Sequence, residues 1–351
     1  MGIAVVAAFL ATSAVTGVVR TLALRWRVID LPTDRSSHVQ PTPTGGGLAI
    51  IVGTAIGLCC ATLMASVSAT RYWEILLAGM IVGVVGLVDD VHHLSPAKRL
   101  LGHFLAAGLA IHGLDIVSVA VSAGVSTFLV FAVYAAAIVY AVWLVNLTNF
   151  MDGIDGLASI EVITSMLGGV ILFQPWKTAS PQVLMPLVLS AAVGGFLLWN
   201  WAPSKIFMGD VGSGFLGFML ALMSLEAAST RPILFASWLI LVAVFVTDAT
   251  VTLLVRAFRG DSVVTAHRQH AYQHLAARLK SHGCVSLGVG MVNVVWLTPI
   301  AVLVSRGQIG LVLGLLAAYV PLVLVCLGMG SGQVRAGALL QARSAARDQS
   351  D

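Results

Sequence analysis

The sequence predicts an all-α, polytopic membrane protein, and both its composition and its apolar runs support this class. Of the 351 residues, 58% are hydrophobic and only 10% are charged, and the mean hydropathy is +0.97. A chain of this length with so few charges would not stay in solution by itself. Apolar runs long enough to cross a bilayer, roughly 17–25 residues each, recur along almost the whole chain.

We predict eleven membrane-spanning helices from these runs. The fourth run is the weakest, because it is short and His103 and His112 interrupt it. The first run is interpreted as a retained helix, since its positive charges follow the apolar stretch, whereas those of a signal peptide precede it. The cysteines have no spacing that predicts disulfides or a metal site. The runs cover residues 2–22, 45–68, 73–90, 99–113, 124–146, 157–174, 182–199, 213–228, 232–255, 285–304 and 308–329.

The lysines and arginines predict the orientation of these helices. If eleven helices alternate across the membrane, one face receives 15 of the 19 basic residues, and the other receives only Arg71, Lys177, Arg231 and Arg306. Cytoplasmic loops carry the excess of positive charge. The N-terminus is therefore predicted to be periplasmic. We treat residues 1–330 as a single membrane domain and residues 331–351 as a disordered cytoplasmic tail.

The unusual polar residues are concentrated in the predicted cytoplasmic connections, where they can converge on one site. Asp89 and Asp90 end the third predicted helix, where the helix dipole already places negative charge. Two carboxylates at such a position are unfavourable unless a cation lies nearby. A solvated helix end is the alternative, but paired aspartates at the membrane border are costly enough to favour a functional interpretation.

Further along the chain, Asn149, Asp152 and Asp155 lie in a glycine-containing loop. Carboxylate and amide oxygens suit Mg²⁺, which shares its coordination shell with water and phosphate. Repeated Asp-Gly pairs also occur in ordinary turns, so this signal is moderate by itself.

Asp210 precedes Val-Gly-Ser-Gly and then an apolar helix. Such a helix start offers free N–H groups to a phosphate, and an aspartate beside it suits a metal ion that bridges to that phosphate. Ser213 as the helix N-cap is the structural alternative. Lys205 either neutralises the phosphate or marks the cytoplasmic border.

The connection from 256 to 284 is basic and rich in histidine. If it is helical, His267, His270 and His274 share one face. A basic face for a pyrophosphate is favoured over a zinc site or a solvated surface helix. Asp248 lies within the preceding apolar run, so it is either a functional buried carboxylate or an internal partner of Arg256.

Five loop motifs in chain order, from about residue 30 to residue 285, resemble those of the polyprenyl-phosphate N-acetylhexosamine-1-phosphate transferases, glycosyltransferase family 4. One such motif is weak, but five in register are specific. Besides the histidine-rich connection, they are Pro-x-Pro-x-Gly-Gly from Pro41 to Gly46, Asp89-Asp90 with Lys98, the loop from Asn146 to Gly156, and Asn200 with Lys205 to Ser213.

The resemblance implies that a carrier-lipid phosphate attacks the β-phosphate of a UDP-sugar and that UMP leaves. It implies Asp210 and the Asn149 amide oxygen as ligands of Mg²⁺, for which Mn²⁺ can substitute. Asp89 or Asp90 would position or deprotonate the lipid phosphate, so the implied catalytic residues are Asp89, Asp90 and Asp210. The implied substrate-binding residues are Lys98 for the lipid phosphate, Asp152, Asp155 and Phe207 for the nucleotide, His267, Arg268 and His270 for the diphosphate, and Asn200 and Lys205.

The same resemblance implies the partners and the location. They are a UDP-sugar, undecaprenyl phosphate, the lipid bilayer and a second copy in a homodimer, with no nucleic acid, in a bacterial inner membrane. The histidine-rich connection departs from the commonest family pattern: Tyr272 and Gln273 replace paired histidines, and Ala266 replaces an aspartate. This sequence pattern resembles that of the subgroup that uses 6-deoxy sugars, UDP-N-acetylfucosamine or UDP-N-acetylquinovosamine, in O-antigen synthesis.

Three alternatives remain beside this prediction. A transferase of the same family that uses UDP-N-acetylglucosamine is the nearest. A cation-coupled transporter would place its polar residues near mid-membrane on broken helices, whereas here they crowd one face. An aromatic prenyltransferase would need a further aspartate after Asp89 and Asp90, and Val-His-His follows instead.

Overall fold

The computed structural model describes residues 1–32, 37–38, 40–64, 70–113, 126–173, 181–263, 265 and 267–333, and these residues are mostly helical. A two-residue antiparallel pair, β1 (Ile29–Asp30) with β2 (Thr42–Pro43), places Ile29 opposite Pro43. The helices are α1 (Gly2–Trp26), α2 (Gly47–Leu63), α3 (Thr70–His92), α4 (Pro96–Gly113), α5 (Thr127–Met151), α6 (Leu157–Leu172), α7 (Leu184–Asn200), α8 (Gly209–Thr230), α9 (Ile233–Leu241), α10 (Ala243–Phe258), α11 (Ala271–Leu279), α12 (His282–Met291), α13 (Thr298–Ser305) and α14 (Leu311–Met329).

Each of the eleven apolar runs contains a helix, but fewer helices qualify as membrane spans by themselves. Within the described residues, six are long and apolar enough: α1, α3, α5, α8, the continuous helical stretch from α12 to α13, and α14. A seventh is obtained if α9 and α10 are counted as one span. The all-α polytopic class is thus confirmed, and the count of eleven stays a prediction. Arg35, Lys177 and the arginines after 333 lie outside the described residues.

The predicted span over 232–255 is broken, because α9 and α10 are bent by 72° relative to each other. The side chains of neighbouring helices supply hydrogen bonds to carbonyls that lie near the break. Ser165 Oγ donates to the carbonyl of Leu241 (3.0 Å), and Tyr319 Oη donates to that of Leu239 (2.8 Å). Such partners are what an apolar environment requires of backbone groups near a helix break.

Helix α8 lies at the centre of the fold and packs against α2, α3 and α5. Of its 18-residue apolar stretch, 94% is buried. Glycines allow two neighbours to approach its first turn closely. A Cβ on Gly47 would lie 2.1 Å from the Cα of Gly212, and a Cβ on Gly86 would lie 2.4 Å from the carbonyl oxygen of Asp210. This approach brings the end of α3 against the start of α8.

The predicted tail starts with an ordered turn after α14. The N–H of Gly332 donates to the carbonyl of Gln269 (2.8 Å), and Ser331 is buried. Residues 331–333 are therefore packed against the histidine-rich connection, and the predicted disorder concerns residues that lie outside the described part of the chain.

Candidate active site

A cavity of about 630 Å³ lies where α1, α3 and α5 end and α8 begins. Its wall carries six carboxylates, which concentrate negative charge in one chamber. An anionic substrate enters such a chamber only if cations offset this charge. The carboxylates are Asp30, Asp89, Asp90, Asp152, Asp155 and Asp210.

Asp90 caps the first turn of α8. Its Oδ1 accepts the N–H of Asp210 (2.9 Å), and its Oδ2 accepts the N–H of Val211 (3.3 Å). Gly209 has φ 71° and a Cβ there would lie 2.6 Å from Asp90 Oδ2, so glycine is required for this approach. The prediction that these N–H groups are free for a phosphate is wrong, because a carboxylate of the protein itself occupies the site.

The alternative in which Ser213 caps α8 is also wrong. The helix begins at Gly209, so Ser213 lies inside it, and its Oγ accepts a hydrogen bond from Asn149 Nδ2 (3.0 Å).

Arg99 joins two of the predicted catalytic carboxylates. Its Nη1 lies 2.7 Å from Asp89 Oδ2 and 3.3 Å from Asp210 Oδ2. Asp89 Oδ1 also accepts the N–H of Leu94 (2.6 Å). The sequence predicts Lys98 as the basic residue of this region, but the Lys98 side chain is exposed, and it is Arg99 that contacts Asp89. Adjacent residues on a helix point about 100° apart, so the basic pair alone could not show which member faces the site.

Asp210 and Asn149, the two predicted metal ligands, are in direct contact. Asn149 Nδ2 donates to Asp210 Oδ1 (2.6 Å), which leaves the amide oxygen of Asn149 available beside the carboxylate. Hard oxygen donors in an acidic cavity fit Mg²⁺, which takes few protein ligands and completes its shell with water and phosphate. Within the described ranges, no group of three histidine, cysteine or acidic residues is arranged to hold a metal ion, so the zinc alternative gains no support.

Asp152 and Asp155 belong to one loop but have different surroundings. Burial, together with the charges of Asp210, Asp90 and Asp155, raises the pKa of Asp152 well above its usual value. Burial would raise the pKa of Asp155 as well, but hydrogen bonds from His282 and Ser204 outweigh it and lower that pKa.

These contacts make Asp155 an anchor for the loop. His282 Nδ1 lies 3.2 Å from Asp155 Oδ2, and the N–H of Ser204 donates to the same oxygen (3.3 Å). Asp152 lines the cavity as well, so both aspartates face it, and Asp155 in addition holds the loop in place through these contacts.

Of three other predicted binding residues, Asn200 and Phe207 line the cavity and Lys205 does not. Asn200 joins two loops, since its Oδ1 accepts the N–H of Gly156 (3.0 Å) and its Nδ2 donates to the carbonyl of Ile206 (3.1 Å). Phe207 lines the cavity and packs edge-to-face against His38, with ring centroids 4.9 Å apart. Lys205 is exposed and does not line it; its Nζ lies 5.7 Å from the Trp199 ring.

The histidine-rich connection is arranged differently from the prediction. Helix α11 begins only at Ala271, so His267 and His270 precede it and do not share a helical face with His274. His270 is buried and stacks on His267, with ring centroids 4.9 Å apart. Burial and the neighbouring charges of His270 and Arg256 lower the pKa of His267 to about 4. Neither ring lines the cavity, and a neutral His267 is poorly suited to hold a diphosphate.

Asp248 caps the start of α11, and the alternative that pairs it with Arg256 is wrong. Its two carboxylate oxygens accept the N–H groups of Ala271 (2.8 Å) and Tyr272 (2.9 Å). Arg256 instead donates to Gln269 Oε1 (2.7 Å) and to the carbonyl of Ser262.

Arg268 lines a second, smaller cavity, which we call the annex. The annex has a volume of about 250 Å³ and is bounded by α11 and the residues on either side of it. It shares Ser37, Gln273 and His282 with the main cavity, so the two are neighbours. Its charged lining is basic, with Arg268, Lys280 and His282.

The two residues behind the sugar prediction, Tyr272 and Gln273, have different positions. Tyr272 is 4% exposed, donates from Oη to the carbonyl of Phe150 (3.0 Å) and packs over Gly153. Gln273 lines both the cavity and the annex. Ala266 lies outside the described residues.

Several cavity residues were not predicted as site residues from the sequence, namely Arg27, Asp30, His38, His93, Gln273 and His282. Arg99, which contacts Asp89 and Asp210, was not predicted either. The sequence contains a weak indication for three of the cavity residues, because His38, His93 and His282 lie in the predicted cytoplasmic connections. Nothing local distinguished them from other polar loop residues.

The fold and the site together define a class, a polytopic helical membrane enzyme with an acidic, magnesium-compatible cavity at helix ends. Comparison with known proteins agrees. The model of "Glycosyl transferase family 4" matches residues 72–228. The chain belongs to this family, and it is a transferase of the phosphotransferase type.

Three relatives illustrate the similarity. The chain is 30% identical to decaprenyl-phosphate N-acetylglucosaminephosphotransferase of Mycobacterium tuberculosis (strain H37Rv), over 78% of this chain and 74% of that protein. It is 27% identical to the "Probable undecaprenyl-phosphate N-acetylglucosaminyl 1-phosphate transferase" of Bacillus subtilis (strain 168), over 86% and 85%. It is 32% identical to phospho-N-acetylmuramoyl-pentapeptide-transferase of Streptococcus pneumoniae (strain R6), over 52% and 59%.

Proposed function

We propose that this protein transfers an N-acetylhexosamine 1-phosphate from a UDP-sugar to a polyprenyl phosphate such as undecaprenyl phosphate, with release of UMP. One observation carries the proposal: Asp210, Asn149 and Asp89 meet in an acidic cavity at helix ends. The names of the relatives, which include transferases acting on decaprenyl and undecaprenyl phosphate, support the same reaction.

The residues of the cavity divide the work of positioning and charge neutralisation. We propose that Asp210 and the Asn149 amide oxygen hold Mg²⁺, or Mn²⁺ in its place. The metal supplies charge neutralisation at the diphosphate when it is bound. Arg99, which lies between Asp89 and Asp210, adds a fixed guanidinium beside the same position.

Asp89 is the better candidate to act on the acceptor phosphate. Both carboxylate oxygens of Asp90 accept N–H groups of α8, so Asp90 is a positioning residue that fixes Asp210. Asp89 instead shares Arg99 with Asp210, which would place an acceptor phosphate bound there next to the metal position. Phe207, with His38 beside it, offers an aromatic surface for the uracil ring.

A direct assay tests this function. Purified protein is incubated with undecaprenyl phosphate, Mg²⁺ and a panel of UDP-sugars, and UMP is measured. We expect UMP only when the lipid phosphate is present, and the matched control omits that lipid. UMP release at the same rate without the acceptor, or none with any sugar, would contradict the proposal.

The membrane arrangement that we propose has eleven spans, a periplasmic N-terminus and catalytic loops on the cytoplasmic side of a bacterial inner membrane. The charge asymmetry and the helix within every apolar run support it. Single cysteines at the exposed positions Asp261 and Gln308, in a cysteine-free background, test it. An impermeant thiol reagent in the periplasm should label position 308 and leave position 261 unlabelled; the reverse would overturn the orientation.

The identity of the sugar is the finest part of the proposal. The 6-deoxy hypothesis, with O-antigen synthesis as its setting, rests on Tyr272 and Gln273, of which Tyr272 is buried and does not line the cavity. Only Gln273 reaches the cavity. Competition between UDP-N-acetylfucosamine or UDP-N-acetylquinovosamine and UDP-N-acetylglucosamine tests the hypothesis, and preference for the hydroxylated sugar would end it. The expected homodimer stays a prediction, which light scattering of the purified protein can check.

A further inference from the structure

Three residues in left-handed backbone conformations share two properties. Among the residues that the structure describes, only Arg27, His93 and Lys280 combine a side chain with positive φ, at 57°, 49° and 50°. Each directly follows a helix, namely α1, α3 and α11 respectively. All three carry basic side chains, and all three line the cavity or its annex: Arg27 and His93 line the cavity, and Lys280 lines the annex.

Elsewhere the chain uses glycine for the same turn. Gly260, Gly307 and Gly330 have φ between 69° and 79° and follow α10, α13 and α14. None of these glycines lines the cavity or the annex. Glycine is the preferred residue at a left-handed helix end, because any side chain there is strained.

The coincidence of strain, charge and location calls for a physical reason. Strained backbone persists at functional sites when the side chain it holds is needed there. A left-handed residue ends its helix and turns the chain, and each of these three side chains belongs to the lining of the cavity or of the annex. The cavity wall is rich in carboxylates, and these three side chains are cations or, for His93, a potential cation at its border.

We propose that Arg27, His93 and Lys280 bind phosphate oxygens of the substrates and that they are kept at glycine positions for this purpose. The inference rests on the proposed function and adds three anion-binding residues to it. Phosphate oxygens enter from two sources, the diphosphate of the nucleotide sugar and the phosphate monoester of the carrier lipid. Because Lys280 lies in the basic annex and the others in the acidic cavity, the variants can separate the two sources.

The test exploits opposite effects on stability and binding. In Arg27→Gly, His93→Gly and Lys280→Gly, relief of strain should keep the melting temperature at or above that of the wild type, with a rise of about 1–3 °C. The same variants should raise KM about tenfold for one substrate, because a hydrogen bond to a charged group is lost. A rise confined to the UDP-sugar assigns the residue to the diphosphate, and one confined to undecaprenyl phosphate assigns it to the acceptor.

Two matched variants complete the design. Lys280→Arg keeps the charge and the strained turn, so it should recover most of the substrate affinity that Lys280→Gly loses. Arg278→Gln removes a cation from the exposed surface of α11 outside the annex. It should therefore change neither the melting temperature nor the KM of either substrate. Glycine variants that keep the wild-type KM for both substrates, or that melt below the wild type, would overturn the proposal.

A binding measurement separates this inference from the proposed function. UMP, inorganic pyrophosphate and undecaprenyl phosphate should each raise the melting temperature of the wild type, and each glycine variant should show a smaller shift with at least one of them. If the wild type turned over no UDP-sugar but still showed the shift and its loss, the proposed function would fail and the anion-binding residues would stand. A wild-type shift with all three ligands in every glycine variant would contradict the anion-binding role by itself.

Discussion

Helices α8 and α11 begin in the same way, because each receives its N-terminal cap from a carboxylate on another helix. Asp90 on α3 accepts the N–H groups of Asp210 and Val211, and Asp248 on α10 accepts those of Ala271 and Tyr272. Capping of this kind offsets the helix dipole and satisfies otherwise unpaired donors.

The surroundings of the two caps differ. The start of α8 faces the cavity, and its second residue, Asp210, contacts Arg99 and Asn149 there. The start of α11 is closed, with Asp248 3% exposed and His270 2% exposed. The comparison teaches that an aspartate in a membrane segment indicates a site only where the residues it positions face open volume. By this criterion, we expect Asp90 to support catalysis by positioning Asp210, and we expect Asp248 to support the fold.

The largest effect is expected at Asp210. Asp210→Asn removes the charge of the proposed metal ligand at the open helix start with little change of shape, so turnover should fall by at least about 10²–10³-fold. UMP release measures the loss, and thermal melting should show a folded protein. EDTA should stop the wild type reversibly. Full activity of the variant in EDTA would contradict both the metal site and the special role of the α8 start.

Asp90→Asn should weaken activity less than Asp210→Asn. The amide accepts with only one oxygen, so one N–H of α8 loses its charged partner and Asp210 shifts. A displacement of about 1 Å at a catalytic group costs on the order of 10²-fold in rate. The loss of the cap should cost about 0.5–2 kcal/mol of stability. The activity should therefore fall mainly in kcat; wild-type kcat would show that the cap does not position Asp210.

Asp248→Asn should lower the stability of the protein more than its kcat, the opposite of what is expected for Asp90→Asn. The variant leaves a buried N–H of α11 without its carboxylate, which costs about 1–3 kcal/mol of unfolding free energy. Because Asp248 does not line the cavity, kcat per folded molecule should stay within about threefold of the wild type. Asp261→Asn, at an exposed aspartate near Arg259, is the control for loss of charge. A large fall in kcat without destabilisation would break the distinction between the two caps.

The smallest effect concerns the pH dependence of the closed region. The pKa of His267 is lowered from 6.5 to about 4, so between these pH values the unfolded chain binds a proton that the folded chain resists. Stability then falls as pH decreases through this window. In His267→Gln, the fall in melting temperature from pH 7 to pH 5 should be smaller than in the wild type. An unchanged pH profile would show that this ring is not held neutral in the folded protein.

The sequence by itself determined the membrane class and the positions of the main site residues along the chain. Apolar length required helices, and each helix end placed its polar residues at a membrane border. Asp89, Asp90, Asn149, Asp152, Asp155, Phe207 and Asp210 all line the cavity, because ends of successive helices are forced together.

Only the tertiary structure decided which of two adjacent residues contacts the site and which contacts each residue makes. Arg99 rather than Lys98 contacts Asp89, Asp90 caps α8, and Tyr272 is buried beneath the loop that carries Gly153. These outcomes depend on the rotation of each helix about its axis and on close approaches at Gly47 and Gly86. Local patterns cannot encode them, because the partner that fixes each side chain lies far away in the sequence.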